Sequence, residues 1–132
     1  MSASPLLMGT LLGIGALWLV TIIAADLSMA RAKLTPGMPV TSGPETFVFR
    51  AVRAHANLVE NLSPFVLALV TARLAELDAT WTGFLVGGFL AARILHATAY
   101  YANLARPRTV GFILGLVFIG SLFASAAYTA LL

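Results

Sequence analysis

Four long stretches of apolar residues, separated by short polar connections, dominate the chain and predict four helices. No charged residue precedes Asp26 in the first stretch, and a connection rich in proline and glycine follows it over residues 34–46. The predicted helices span about residues 5–33, 45–75, 80–104 and 107–130. Long helices joined by short connections predict an all-α, up-down-up-down four-helix bundle, with residues 1–132 forming a single domain.

The composition places this bundle in a membrane. Hydrophobic residues make up 60% of the chain and charged residues only 10%, with a mean hydropathy of +0.95. Soluble domains are about 45–50% apolar and about 25% charged, so a soluble globular protein is excluded. Cysteine is absent, which excludes a cysteine nucleophile and a thiolate metal site, and no metal site is expected.

The few basic residues gather at two of the three connections. The first and third connections, with the helix ends beside them, carry Arg31, Lys33, Arg50, Arg53, Arg106 and Arg108. Because basic residues accumulate in cytoplasmic loops, this pattern predicts that both connections are cytoplasmic and that both termini lie on the other side. The short chain and its compact loops favour a bacterial inner membrane.

Two polar stripes run along helices that are otherwise apolar. The second helix carries Arg50, Arg53, Asn57 and Glu60, and the third carries Arg93, His96, Tyr100 and Asn103. At about 100° per residue, each set falls within a narrow arc of its helix. An arginine facing lipid at the helix centre costs about 2.5–3.5 kcal/mol, so we expect the stripes to face each other or a neighbouring subunit.

Arginines outnumber acidic residues in these stripes, and this imbalance indicates an anionic ligand. Arg50, Arg53 and Arg93 have only Glu60 and Asp26 as nearby counter-charges. An unpaired buried charge is costly, and the planar guanidinium binds carboxylates through two parallel hydrogen bonds. The stripes therefore predict a site for a carboxylate-bearing ligand; the alternative is a closed polar network without a ligand. Nothing in the charge pattern indicates nucleic acid.

Two segments resemble a known family. The run Arg53-Ala54-His55-Ala56-Asn57-Leu58-Val59-Glu60, followed by Pro64, resembles the R-x-H-x-N-x-x-E-x-x-x-P segment of the MAPEG family, the membrane-associated proteins of eicosanoid and glutathione metabolism. Arg93, His96 and Tyr100 are similar to the R-x-x-H-x-x-x-Y pattern of that family's third helix. The resemblance covers most of the chain.

The resemblance implies a homotrimer of four-helix subunits, with glutathione as co-substrate between adjacent subunits near the cytoplasmic side. Its other partners would be lipids and an apolar electrophile or lipid hydroperoxide from the bilayer. By motif position, the residues that line or support the glutathione site would be Arg31, Arg53, Asn57, Glu60, Arg93, His96 and Tyr100. His55, on the opposite face of the second helix, is expected to be structural.

The chain departs from the family pattern at the start of the fourth helix. Family members place a thiol-activating arginine where Thr109 stands here, and Arg108 lies one position earlier. The candidates for thiol activation are therefore Arg108 and Arg106, with Thr109 or Tyr100 as sources of a hydroxyl.

Three functions are compatible with these residues. The first is a membrane-bound glutathione transferase that activates the glutathione thiolate, with glutathione-dependent peroxidase activity as a possible extension and detoxification as its role. The second is a related membrane protein that binds glutathione or lipid without catalysis. The third is a small four-helix exporter that uses Asp26 as its coupling acid.

Overall fold

The computed structural model describes residues 4–131 and confirms an all-α four-helix bundle. The helices are α1 (Pro5–Arg31), α2 (Phe47–Leu74), α3 (Ala79–Tyr101) and α4 (Ala105–Leu131). Their ends differ from the predicted ones by at most three residues, the largest difference being at the end of α3.

Capping residues explain where the first three helices begin. The Ser4 hydroxyl accepts a hydrogen bond from the Leu7 amide, and Thr46 accepts one from Phe49. Asp78 accepts from the amides of Thr80 and Trp81 at the start of α3. Each cap satisfies backbone donors that have no partner within the first turn of a helix.

The same three helices end in one common arrangement. Lys33, Glu76 and Asn103 follow α1, α2 and α3 with φ angles of 58°, 55° and 58°, in the left-handed region. The next residue is leucine each time, and its amide donates back across the turn, as Leu104 does to the Ala99 carbonyl at 2.8 Å. At α1 and α3, this reversal ends the helix two and three residues, respectively, before the predicted end of the apolar pattern.

α2 and α3 form the centre of the bundle. Both contact α1 on one side and α4 on the other, and the α3–α4 contact is the most extensive. In the core between them, the rings of Phe65 and Phe89 stack with centroids 4.3 Å apart and nearly parallel planes. Large apolar side chains on α1 and α4 remain exposed, as expected of helices that meet lipid.

Three helices, α1, α3 and α4, are long and apolar enough to cross a membrane. α2 contains 28 residues but does not meet the same criterion of composition. Its N-terminal half carries Arg50, Arg53 and Glu60, whereas its C-terminal half is uncharged as far as Arg73.

Candidate functional site

Arg93 is a charged residue in the interior of the bundle. Only 2% of its surface is exposed. Nη1 donates to Oδ1 of Asn57 on α2 at 3.0 Å, and Nη2 donates to the carbonyls of Gly111 at 2.8 Å and Phe112 at 3.3 Å on α4. One guanidinium thus links three helices through neutral acceptors, which offset part of the cost of burying it, while its buried Nε has no partner in the part of the chain described.

Two glycines of α4 make room for this guanidinium. A Cβ atom on Gly115 would lie 2.8 Å from Cζ of Arg93. A Cβ on Gly111 would lie 2.8 Å from the backbone nitrogen of His96 and 2.9 Å from the carbonyl oxygen of Ala92. The glycines, one turn apart, let α3 approach α4 closely and let Arg93 reach the backbone of α4.

His96, one turn after Arg93, is also buried, with 5% of its surface exposed. Its Nδ1 lies 2.8 Å from the carbonyl oxygen of Arg108, in the first turn of α4. Its ring packs edge-on against Tyr100, with centroids 5.1 Å apart, and lies 6.1 Å from the ring of Phe112. Nε2 is buried and has no hydrogen-bond partner in the part of the chain described.

The three candidates at the start of α4 lie in two places. The half-buried Arg108 places its guanidinium carbon 4.6 Å from the centre of the Tyr100 ring, a cation–π contact. Arg106 and Thr109 are exposed and line an open hollow of about 460 Å³ with Ala105 and Val110. The Thr109 hydroxyl donates to the carbonyl of Ala105 within its own helix.

The structure therefore divides the predicted site residues into two groups. Those that contact another predicted site residue, called the arginine cluster below, are the buried Arg93 and His96 and the half-buried Asn57, Tyr100 and Arg108. Those that stay on the surface are Arg31, Arg53, Glu60, Arg106 and Thr109. On α2, Arg53 and Glu60 lie about one turn before and after Asn57, so they share its side of the helix.

Two members of the predicted stripes lie elsewhere. The Arg50 guanidinium donates to the carbonyls of Pro44 and Glu45, at 2.9 and 2.8 Å, and so stabilises the turn before α2. Asn103 is the left-handed residue after α3, not a member of that helix, because the chain reverses there. The third helix thus contributes three polar stripe residues rather than four.

Sequence reasoning missed three contributors to the cluster. Gly111 and Phe112 offer carbonyl oxygens to Arg93, and Asn61 donates through Nδ2 to the carbonyl of Asn57 at 2.8 Å. Gly111 and Gly115 stand out as a small-residue pair in the sequence, and that pair was a usable signal of close helix approach. A backbone carbonyl that accepts a hydrogen bond cannot be recognised from the residue type, so these two acceptors could not be predicted.

His55 belongs to a separate contact between α1 and α2. Its Nδ1 lies 3.0 Å from Oγ1 of Thr21, and its ring packs edge-on against Trp18 with centroids 5.7 Å apart. The Thr21 hydroxyl donates to the carbonyl of Trp18, so Oγ1 accepts from His55. Asp26, the acid considered for export, is exposed on α1.

Comparison with known proteins agrees with this architecture. The model of the MAPEG family matches residues 6–128, nearly the whole chain. An uncharacterized protein of Synechocystis sp. is 34% identical over 115 residues, which cover 87% of this chain and 82% of that protein. With its apolar helices, the chain is an integral, multi-pass membrane protein, and it belongs to the MAPEG family.

Proposed function

We propose that this protein is a membrane-bound glutathione transferase, with glutathione as co-substrate and an apolar electrophile as acceptor. The observation that carries the proposal is the half-buried Arg108, whose guanidinium lies over the Tyr100 ring at the edge of the arginine cluster. Reduction of lipid hydroperoxides by the same thiolate is the further activity proposed.

The residues around Arg108 suit the functional groups of glutathione. Glutathione carries two carboxylates, an ammonium group and a thiol. The exposed guanidinium of Arg53 suits a carboxylate, and the exposed Glu60 suits the ammonium. The two terminal nitrogens of Arg93 already donate to Asn57 and to α4, so Arg93 holds these helices together and is not expected to bind glutathione itself.

The chemistry needs no nucleophile from the protein. A guanidinium beside the thiol favours the thiolate, which is the reactive form. The thiol proton passes to water, the sulfur forms a bond to the electrophilic carbon, and the leaving group departs with its electron pair. Holding both reactants in one site supplies the rest of the acceleration.

The exposed charges of α2 support assembly with further copies of the chain. Exposing Arg53 and Glu60 to lipid would be costly, so a neighbouring subunit, a ligand or water at the membrane surface is expected to cover them. A homotrimer, as in the family, would place the site between subunits, with Arg31 as a further contact. We place this site on the cytoplasmic side of a bacterial inner membrane.

Removing one surface charge at a time tests the binding half of the proposal. In purified protein, Arg53→Ala and Glu60→Ala are expected to weaken glutathione binding about tenfold each, since each loses a charge-assisted contact worth about 1.4 kcal/mol or more. Arg73→Ala and Glu76→Gln, which lie at the other end of α2, are the matched controls and should bind like the wild type.

Binding is measured by calorimetry and assembly by size-exclusion chromatography with light scattering. The assignment fails if both Arg53→Ala and Glu60→Ala keep wild-type affinity while remaining assembled. Saturable binding without turnover in the wild type would instead favour the non-catalytic alternative.

A further inference from the structure

His96 makes its hydrogen bond to the backbone of another helix. A carbonyl oxygen only accepts, so the 2.8 Å contact between Nδ1 and the Arg108 carbonyl requires the proton on Nδ1. The bond therefore fixes both the orientation of the ring and its neutral tautomer, and it joins α3 to the first turn of α4.

This bond adds a side-chain contact to the backbone bonding of Arg108 at the start of α4. The Arg108 amide donates to the Leu104 carbonyl at 3.2 Å, and the Arg108 carbonyl accepts from His96. The first turn of a helix lacks part of the helical hydrogen bonding and frays readily, so a bond from a buried side chain matters there.

Tyr100 completes a triangle with these two residues. Its ring packs against His96 at 5.1 Å, and its face receives the Arg108 guanidinium at 4.6 Å. His96 thus contacts both the backbone of Arg108 and the ring on which the side chain of Arg108 rests.

We infer that His96 is a positioning residue: through Nδ1–H it holds the first turn of α4, and thereby keeps the Arg108 guanidinium on Tyr100, where it stabilises the glutathione thiolate. The part of this inference that concerns the thiolate rests on the proposed function. The part that concerns the hydrogen bond between His96 and α4 does not depend on glutathione.

Two substitutions of His96 distinguish the role of Nδ1 from that of Nε2. In His96→Asn, the amide nitrogen can take the place of Nδ1, whereas in His96→Gln it can take the place of Nε2. A residue that acts through Nδ1 is rescued by asparagine, and one that contacts the ligand through Nε2 is rescued by glutamine. His55→Gln, which changes the histidine of the α1–α2 contact, is the control.

Two readouts are measured on the full-length protein in detergent. The first is the ultraviolet absorbance of the thiolate at saturating glutathione and neutral pH. The second is the rate of trypsin cleavage between Arg108 and Thr109, followed by mass spectrometry. Trypsin does not cut before proline, so Arg106–Pro107 is protected and Arg108 reports on the first turn of α4.

We expect His96→Gln to lower the thiolate signal about tenfold and to speed cleavage at Arg108 by a similar factor, as loss of a partly buried hydrogen bond of about 1.4 kcal/mol implies. His96→Asn and His55→Gln should stay near the wild type in both readouts. Glutathione affinity should change less than the thiolate signal does.

The inference is overturned if glutamine preserves both readouts and asparagine does not, if both variants match the wild type, or if both are impaired alike. If the wild type forms no thiolate while His96→Gln still speeds cleavage, the proposed function fails and the hold of His96 on α4 stands.

Discussion

At the residue scale, Arg93 organises the interior of the bundle. It carries a charge at 2% exposure, and its acceptors are an amide oxygen and two backbone carbonyls. Losing one acceptor of a buried charge costs more than a typical hydrogen bond, because the charge stays desolvated. The position of Arg93 also depends on the small size of Gly115, because a Cβ atom at that position would overlap the guanidinium.

Gly115→Ala should destabilise the protein by about 1–3 kcal/mol, because its methyl group overlaps the guanidinium of Arg93, which can move away only by breaking hydrogen bonds to Asn57 and α4. Gly120→Ala, on the same helix, meets no atom of residues 4–131 within 4 Å and should be neutral or slightly stabilising, since alanine favours a helix over glycine. Thermal unfolding in detergent compares the two. Equal melting temperatures would show that Arg93 is not confined by Gly115.

At the element scale, the helix ends explain which boundaries the sequence could predict. Apolar periodicity located all four helices, but it continued through Lys33 and Asn103, where the chain turns into the left-handed region. No glycine marks these positions, so the usual signal for such an ending is missing. The polar stripe of the third helix was overestimated for the same reason, because Asn103 was counted within it.

Substitution of Glu76 tests the left-handed turn at the end of α2, which lies far from the arginine cluster. Its φ of 55° suits glycine and disfavours β-branched residues. Glu76→Val should lower the melting temperature, by the equivalent of about 1–2 kcal/mol, whereas Glu76→Gly should match or exceed the wild type. Glutathione binding should be unchanged in both. If valine and glycine behave alike, the turn does not depend on a left-handed residue.

At the scale of the whole molecule, the sequence predicted the layout of the helices, whereas the contacts among the predicted site residues come from the structure. Charge and hydropathy indicated a membrane bundle, and the two motifs indicated the family that the comparison confirms. The sequence could not separate Arg108 from Arg106 and Thr109, since their directions depend on the angle at which α4 starts. It also could not show that Arg93 binds backbone carbonyls, which no residue type reveals.

The predicted orientation in the membrane can be tested because the chain has no cysteine. Single cysteines at Met38, in the α1–α2 connection, and at Ala130, near the end of α4, are introduced separately. Both positions are exposed. A membrane-impermeant maleimide should label Met38→Cys only from the cytoplasmic side and Ala130→Cys only from the opposite side. The reverse pattern would invert the orientation, and labelling of both from one side would contradict a bundle in which α2, α3 and α4 all cross the membrane.

The central claim is that Arg108 stabilises a glutathione thiolate, and a thiolate titration tests it most directly. Glutathione is added to detergent-purified wild type, Arg108→Gln and Arg106→Gln near neutral pH, and the ultraviolet absorbance is compared with that of a protein-free control. We predict a saturable thiolate signal in the wild type and in Arg106→Gln, and its loss in Arg108→Gln. A wild type that binds glutathione without forming thiolate, or an Arg108→Gln variant that keeps the full signal, would contradict the claim.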